Sequence, residues 1–400
     1  MNNPLETVRQ VFPVEYHNRV FLVGGSVRDL LLDRTNNDID LISTLMPHEI
    51  ETCGFRLVTG KSTVPVWFRH DQRFGLIEAT LIADAGTLSS DLARRDFTIN
   101  ALAMTLDGTV IDPQDGMTDL NQRLLRACTP HTFSADPLRI FRALRFECDG
   151  WEMSRDTELQ IREHDWARFW APIPVERFSR ELLKAIQLKE PDRFFRRMLE
   201  LNIGAEYLPE IFRMPHVPAG PLNHHPEGDL FSHSLEVLQR VTELSKDPLT
   251  RFCAFFHDIG KLSTAPARYP RHHGHDQAGF AVSVDFCRRL RLPGQYGRAL
   301  SWISRLHGTF NLWDQLRDST KLRVAGQSIK AEITEVLPLV ASADKAGGCE
   351  PQGWRMTLET ATLPASRLGL DLECLESVPI KKRAEIILQA RIARLRSRGI

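Results

Sequence analysis

The sequence predicts an α+β protein, with a small mixed α/β unit first and helix for the remainder. Three observations predict it. Strand-like runs with Gly-led turns are confined to the first ~120 residues. From about residue 136, apolar residues recur at helical spacing. Eight of the fourteen histidines fall between His216 and His275, against three in the first 130 residues, which places two chemistries in two regions. A chain of 400 residues is also too long for a single compact core.

Composition narrows the class. Hydrophobic content of 42% with 26% charged residues excludes low complexity and wholesale disorder. Lys plus Arg (51) equals Asp plus Glu (51), so contact with nucleic acid must come from local basic patches. The seven cysteines (Cys53, Cys128, Cys148, Cys253, Cys287, Cys349 and Cys374) are scattered and form no C-x-x-C pair. That reads as a reducing compartment, without a disulfide framework or zinc knuckle. The N-terminus lacks the basic-then-apolar layout of a signal peptide. No run reaches the roughly 18 apolar residues of a membrane span. A cytoplasmic location, or an organelle matrix, is expected.

The elements follow in order. Residues 19–23 read as a strand running into Gly24-Gly25, with a helix over 27–32. Asp38 to Ile42 alternates as a strand does, and Val64–Phe68 and Phe74–Ile82 are further strands, the second opened at Phe74-Gly75. The segment Arg94-Arg95-Asp96-Phe97-Thr98-Ile99-Asn100-Ala101 mixes cation, anion and amide before an apolar helix, and Thr98 and Asn100 demand a polar role there. Asp112-Pro113, Gly116 and Asp119-Leu120 form a turn. Asp136 reads as an N-cap and Pro137 as a first helical residue, with Leu138, Phe141 and Leu144 on the buried face. The Pro-rich stretch 214–226 is the expected domain boundary. Helices resume over Leu230–Leu244 and Arg251–Phe256, and Thr264–His275 reads as a loop.

Asp38-x-Asp40 is the first chemical centre. Residues two apart on a strand share a face. Paired carboxylates suit Mg²⁺, and two such ions can activate a hydroxyl and stabilise departing pyrophosphate. Glu78, on the Gly75–Leu81 strand, is a candidate third carboxylate; a solvated edge-strand Glu is the equal alternative. Gly24-Gly25-Ser26, between strand and helix, offers backbone N–H groups to phosphate. Arg28 follows within reach of a triphosphate. Arg139, Arg142 and Arg145 recur at i, i+3 and i+6 on one helix face, with a solvated basic face as the alternative. An Asp–Arg pair such as Asp136 and Arg139 matches the exposed edges of cytosine and adenine, and rejects guanine and uracil.

The motifs GGSVRD…DID, RRDFTINA, DPQDGMTDL and ADPLRIFRALRF, in this order, resemble the class II tRNA nucleotidyltransferases, the CCA-adding enzymes. The segment VERFSRE (175–181) is similar to the family's next motif. The resemblance implies a polymerase-β-like head over residues 1–128 and a helical neck over 129–213. It implies Mg²⁺ at Asp38 and Asp40. It places nucleotide contacts at Gly25, Arg28, Arg95, Asp96, Asn100, Arg142 and Arg145, with base selection at Asp136 and Arg139. Three departures stand out: Ala135 where the family has Glu, Leu81 where it has Arg, and a short stretch from Leu81 to Asp91. Enzymes that add only CC share that shortness.

The second constellation is His233, His257-Asp258 and a distant Asp. Imidazole with carboxylate suits Mn, Ni, Co, Fe or Mg. His272, His273 and His275 crowd the next loop, which invites metal or phosphate; a solvated loop is the alternative. The pattern H…HD…D is similar to the HD phosphohydrolases, which implies a domain over 222–345 closed by Asp344 and loaded with a transition metal such as Ni²⁺ or Mn²⁺. The likeness extends to HD domains fused to CCA-adding enzymes, which hydrolyse phosphomonoesters and 2′,3′-cyclic phosphates. A basic tail follows over 346–400, with Lys381, Lys382, Arg383, Arg391, Arg394, Arg396 and Arg398. These, and Arg193, Arg196 and Arg197, are candidate contacts for a tRNA backbone; a solvated helix face is the alternative. The expected function is tRNA 3′-end maturation or repair. CMP, and AMP in the complete enzymes, would pass from CTP and ATP to a tRNA lacking all or part of its CCA. A CC-adding enzyme, a poly(A) polymerase, and an HD hydrolase with a degenerate RNA-binding head stay open as alternatives. No membrane partner is expected, and the state is monomer or homodimer.

Overall fold

The computed structural model describes residues 3–35, 38–58, 65–72, 75–345 and 351–397. The expected strand ends at Val64 and Phe74, and the cation Arg398, lie outside the described residues. The chain separates into two compact units, Met1–Ala171 and Pro172–Ile400.

The first unit is built on a mixed seven-stranded sheet, order β3-β4-β5-β2-β1-β6-β7. Its strands are β1 (Val20–Val23), β2 (Asp38–Ser43), β3 (Arg56–Val58), β4 (Val66–Asp71), β5 (Gly75–Leu81), β6 (Ala103–Thr105) and β7 (Val110–Ile111). β2 runs parallel to β5 and antiparallel to β1. The turn after β1 enters helix α1 (Gly25–Leu31). Ile39, Leu41, Ile77 and Ala79 alternate onto the buried face, which leaves Asp38, Asp40 and Glu78 on the opposite one.

Two readings change here. The apolar run after Ala101 is not a helix: Ala103–Thr105 pairs with both β1 and β7. A short apolar run fits a buried strand or a helix equally well by pattern, and pairing decided it. The turn at Asp112 opens a helix, Gly116–Gln122, whose first amides, Gly116 N–H and Met117 N–H, donate to the Asp112 carboxylate (2.7 and 2.9 Å). Helix α2 (Leu138–Glu147) buries Leu138, Phe141 and Leu144, and keeps Arg139, Arg142 and Arg145 on its half-exposed side.

The second unit is helical: α3 (Val175–Ile186), α4 (Asp192–Glu200), α5 (Leu230–Leu244), α6 (Pro248–Phe256), α7 (His275–Arg289), α8 (Gly294–Phe310), α9 (Asp318–Ala331), α10 (Val336–Asp344), α11 (Trp354–Thr362) and α12 (Ile380–Arg396). The compact units divide at 171/172, not in the Pro-rich stretch 214–226. Buried contacts explain this. Phe195 of α4 stacks on Phe255 of α6, ring centroids 3.8 Å apart. The buried Arg251 guanidinium donates to the carbonyls of Ile186, Leu188, Thr242 and Ser245. The Pro-rich stretch is itself anchored, since Lys261 Nζ donates to Ala219 O (2.7 Å) and the His272 ring bonds Pro218 O (2.7 Å).

Candidate active sites

In the head, the parallel register sets Asp40 directly opposite Glu78 and Asp38 opposite Leu76. Ser26, at the start of α1, fixes β2. Its hydroxyl donates to Asp38 O (3.1 Å) and accepts from Asp40 N–H (3.0 Å). Burial raises the pKa of Asp40, and Asp38 adds to it, while Arg95, Arg142 and Arg28 oppose. Glu78 is raised by burial and by Asp40 and Asp38. Three oxygen-only side chains on one face, two of them reluctant to ionise, fit a hard cation such as Mg²⁺. Their ligand atoms are not gathered within 4.8 Å; among the described residues, the groups that are lie at the histidine-rich site and the adjoining His225.

The arginines around the carboxylates form one network. Arg28 Nη1 donates to Asn100 Oδ1 (2.6 Å), Asn100 Nδ2 to Asp96 Oδ1 (2.9 Å), and Arg142 Nη1 to Asp96 Oδ2 (2.8 Å). Burial alone would raise the Asp96 pKa. Arg142, Asn100 and the Phe97 N–H outweigh it and bring it to about 2. Gly24 has φ +66°, and a Cβ there would collide with the Arg95 guanidinium, which lies over the Gly24-Gly25 turn. Thr98 has its polar role: its hydroxyl donates to the buried Asp119 (2.6 Å). Asp136 Oδ1 accepts from Leu138 N–H (3.3 Å), and Arg139 donates to the carbonyls of Thr132 (3.1 Å) and Arg94 (2.7 Å). Arg145 lies over the Phe146 ring.

The second site is assembled from three helix ends. His233 comes from the first turns of α5, His257 and Asp258 follow α6, and Asp344 ends α10. His233 Nε2 stands 3.1 Å from Asp344 Oδ1, His257 Nε2 3.2 Å from Asp258 Oδ2, and the two Nε2 atoms 3.4 Å apart. His257 Nδ1 faces Ala254 O (2.8 Å) and His233 Nδ1 faces Glu227 Oε1 (2.7 Å). Oxygen acceptors at Nδ1 hold a proton there, so Nε2 is the atom of each ring that would give a lone pair to a metal ion. Outer carboxylates and carbonyls hold metal-ligating histidines in the same way. Burial would lower the His257 pKa, but Asp258 and Asp344 lift it to about 10. Both aspartates lie well below the ordinary range: burial opposes this, and Lys261 with His257 (for Asp258) or His257 with His233 (for Asp344) outweigh it. Nitrogen and oxygen donors convergent in a buried pocket fit a borderline transition metal.

Of the neighbouring histidines, His275 reaches the site, its Nε2 3.3 Å from Asp258 Oδ1. His272 does not: its ring bonds Thr264 Oγ1 and Pro218 O. His273 is exposed. Glu227, His307 and Asn311 lie at the site and escaped the sequence reading, and Lys261, which closes the run after His257-Asp258, joins them. Lys261 Nζ lies 2.6 Å from Asp258 Oδ2, His307 Nε2 3.4 Å from Asp258 Oδ1, and Asn311 Nδ2 donates to Asp344 Oδ2 (2.6 Å). A carboxylate six residues before His233 was the one local signal; His307 is isolated in sequence. Elsewhere, Arg193, Arg196 and Arg197 pair with Glu190, Asp192 and Glu200. Arg396 pairs with Asp318, and Arg391 donates to Leu363 O.

Residues 20–81 and 58–126 match the poly A polymerase head domain, and residues 230–345 the HD domain. The Thermotoga maritima CCA-adding enzyme complexed with tRNA shares the fold, with a TM-score of 0.61 at 20% identity over 94% of this chain and 87% of that one. So does the Bacillus stearothermophilus CCA-adding enzyme in complex with CTP, at 0.62 and 21% over 99% and 93%. Head and site together define a nucleotidyltransferase joined to an HD domain. The multifunctional CCA protein of Legionella pneumophila (strain Paris) is 33% identical over 326 residues, 77% of this chain and 79% of that protein. The chain belongs to the multifunctional CCA protein family. Among the described residues, no helix is long and apolar enough to cross a membrane.

Proposed function

We propose that this chain matures and repairs tRNA 3′ ends with two activities. The head transfers CMP, and AMP after CC, from CTP and ATP to the 3′-hydroxyl. The hydroxyl oxygen forms the bond to the α-phosphorus, the bond to the bridging oxygen breaks, pyrophosphate departs, and the hydroxyl proton is lost. Asp38 and Asp40, with Glu78 beside them, would hold Mg²⁺, which when bound would supply the Lewis acidity. Arg28, Arg95 and Arg142 face the triphosphate, and the Asp96–Asn100 network holds two of them in place. The observation that carries the reading is this carboxylate face beside three arginines, in a chain of this family. Gly25 opens the phosphate turn, and Asp136, Arg139 and Arg145 complete the nucleotide pocket.

The HD unit hydrolyses phosphomonoesters and 2′,3′-cyclic phosphates. His233, His257, Asp258 and Asp344 would hold a divalent ion such as Ni²⁺ or Mn²⁺, which when bound would supply the activation of water toward phosphorus. Cyclic phosphate opening would restore a 3′ end on which the head can act. The partners are tRNA, CTP and ATP, the setting is cytoplasmic, and the basic α12 offers a surface to the tRNA backbone.

An extension assay at nucleotide resolution tests the head. Three tRNAs ending before CCA, after C and after CC meet CTP, ATP or both with Mg²⁺. Stepwise addition to CCA is expected. A stop after CC would assign the chain to the CC-adding enzymes, in keeping with the short Leu81–Asp91 stretch. Long A tails on generic RNA would make it a poly(A) polymerase.

A further inference from the structure

We propose that Phe146, near the end of α2, is a positioning residue for nucleotide binding: its ring holds the Arg28 guanidinium toward the triphosphate. The proposal rests on the head reading above and adds a residue that acts through Arg28.

One ring carries two cations. The Arg28 guanidinium carbon lies over Phe146, 5.1 Å from the ring centroid, and that of Arg145 lies 4.8 Å from it. A guanidinium within about 6 Å of an aromatic face is attracted by the ring quadrupole. The ring is 6% exposed and is itself fixed by near-perpendicular contacts with Phe97 (5.9 Å, 88°) and Trp151 (6.0 Å, 78°). The attraction strengthens when the partners are desolvated, and the Arg28 side chain is only 14% exposed. Arg142 stands four residues earlier on the same face of α2, so one helix face brings both Arg142 and the ring to the head.

Hydrogen bonds hold Arg28 at the edge of its planar fork. Nε and Nη2 donate to Asp29 Oδ1 (2.9 and 2.8 Å), and Nη1 donates to Asn100 Oδ1 (2.6 Å). The ring contact restrains the tilt of the plane, which bonds at the edge leave free. Among the described residues, three of the five N–H groups are spent in this way. One on each terminal nitrogen is left for phosphate oxygen. A Cβ at Gly25 would stand 3.7 Å from Arg28 Nη2, so the fork folds back over the Gly24-Gly25 turn. A ring also holds a cation without cancelling its charge, as a second carboxylate would, and the attraction for a triphosphate is kept.

Graded fluorination of residue 146 tests this in the full chain, with mono-, di- and trifluorophenylalanine in place of Phe146. Fluorine withdraws charge from the ring face and hardly alters ring size. Packing on Phe97 and Trp151 is therefore kept, where Phe146→Leu would open a cavity, and circular dichroism verifies the fold. Steady-state CMP incorporation is measured on a tRNA ending before CCA, with Mg²⁺. KM for CTP should rise with each fluorine, to about tenfold at the third. kcat should stay within about twofold, because the lost contact is made equally before and during the reaction. In an Arg28→Gln chain, KM should be raised at the outset and the fluorine series flat. A KM independent of fluorine number with Arg28 present, or a fluorine dependence that survives Arg28→Gln, overturns the positioning role and leaves the head reading intact. An unchanged KM in Arg28→Gln itself overturns the triphosphate role of Arg28, and no CMP incorporation by the parent overturns the head reading.

Discussion

Asp96 holds the head's arginine network, and its removal has a calculable cost. The side chain is 4% exposed and accepts from Arg142 Nη1, Asn100 Nδ2 and Phe97 N–H. Its pKa falls from 3.8 to about 2. At 1.36 kcal/mol per unit, the ionised form contributes on the order of 2 kcal/mol at neutral pH. Arg142 is 42% exposed, so solvent screens part of that attraction. Asp96→Asn keeps the shape but turns an amide donor toward Asn100 or Arg142. The expected destabilisation is about 2–3 kcal/mol. The sign with pH follows from the depressed folded pKa. The contribution is complete above the unfolded value of 3.8 and is lost as pH falls through about 2. The gap between wild type and Asp96→Asn should therefore shrink by about 1 kcal/mol from pH 5 to pH 3. Native-state hydrogen exchange of β1 and β2 amides reads the head without interference from the helical unit. A gap unchanged between those pH values, or no destabilisation at pH 7, would refute the assignment of charge and partners.

Asp38→Ala and Asp40→Ala should each abolish nucleotide incorporation with unchanged circular dichroism; normal incorporation by a folded double mutant would sink the two-carboxylate mechanism. Ser26→Ala loosens β2 at both aspartates, and about a tenfold fall in kcat is expected, roughly 1.4 kcal/mol, with KM for CTP nearly unchanged in steady-state assays. Glu227→Ala frees the His233 ring and should weaken metal binding at the HD site about 10–100-fold in a chelator competition titration. His272→Ala should lower stability by about 1–2 kcal/mol in chemical denaturation yet leave metal stoichiometry intact. Metal-free protein should be stabilised by protonated His257 below the ordinary imidazole pKa of 6.5 and lose that stability as pH rises toward about 10; metal-loaded protein should not, and melting curves at pH 7 and 9.5 with and without chelator separate the two.

What was legible in the sequence is what depends on local pattern. Asp38 and Asp40 share a face because strand side chains alternate. Leu230–Leu244 appears with the predicted bounds because its apolar spacing and the Asp229 cap are both local. The candidate ligands His233, His257, Asp258 and Asp344 were named from their spacing and a family resemblance, and helix packing gathers them into one buried pocket.

What only the tertiary structure decided is what depends on distant partners. The apolar run at 103–105 became a strand because β1 and β7 pair with it. Asp96 is a structural anion because Arg142, on a helix 46 residues further on, reaches it. His272 and His275 are three residues apart, yet one bonds a loop carbonyl and the other faces Asp258. His307 is isolated along the chain and enters the pocket only because α8 packs beside α7. Periodicity fixes which face a side chain takes. The hydrogen-bond partner and the charge it meets are set by whichever element packs opposite, and sequence spacing carries no record of that.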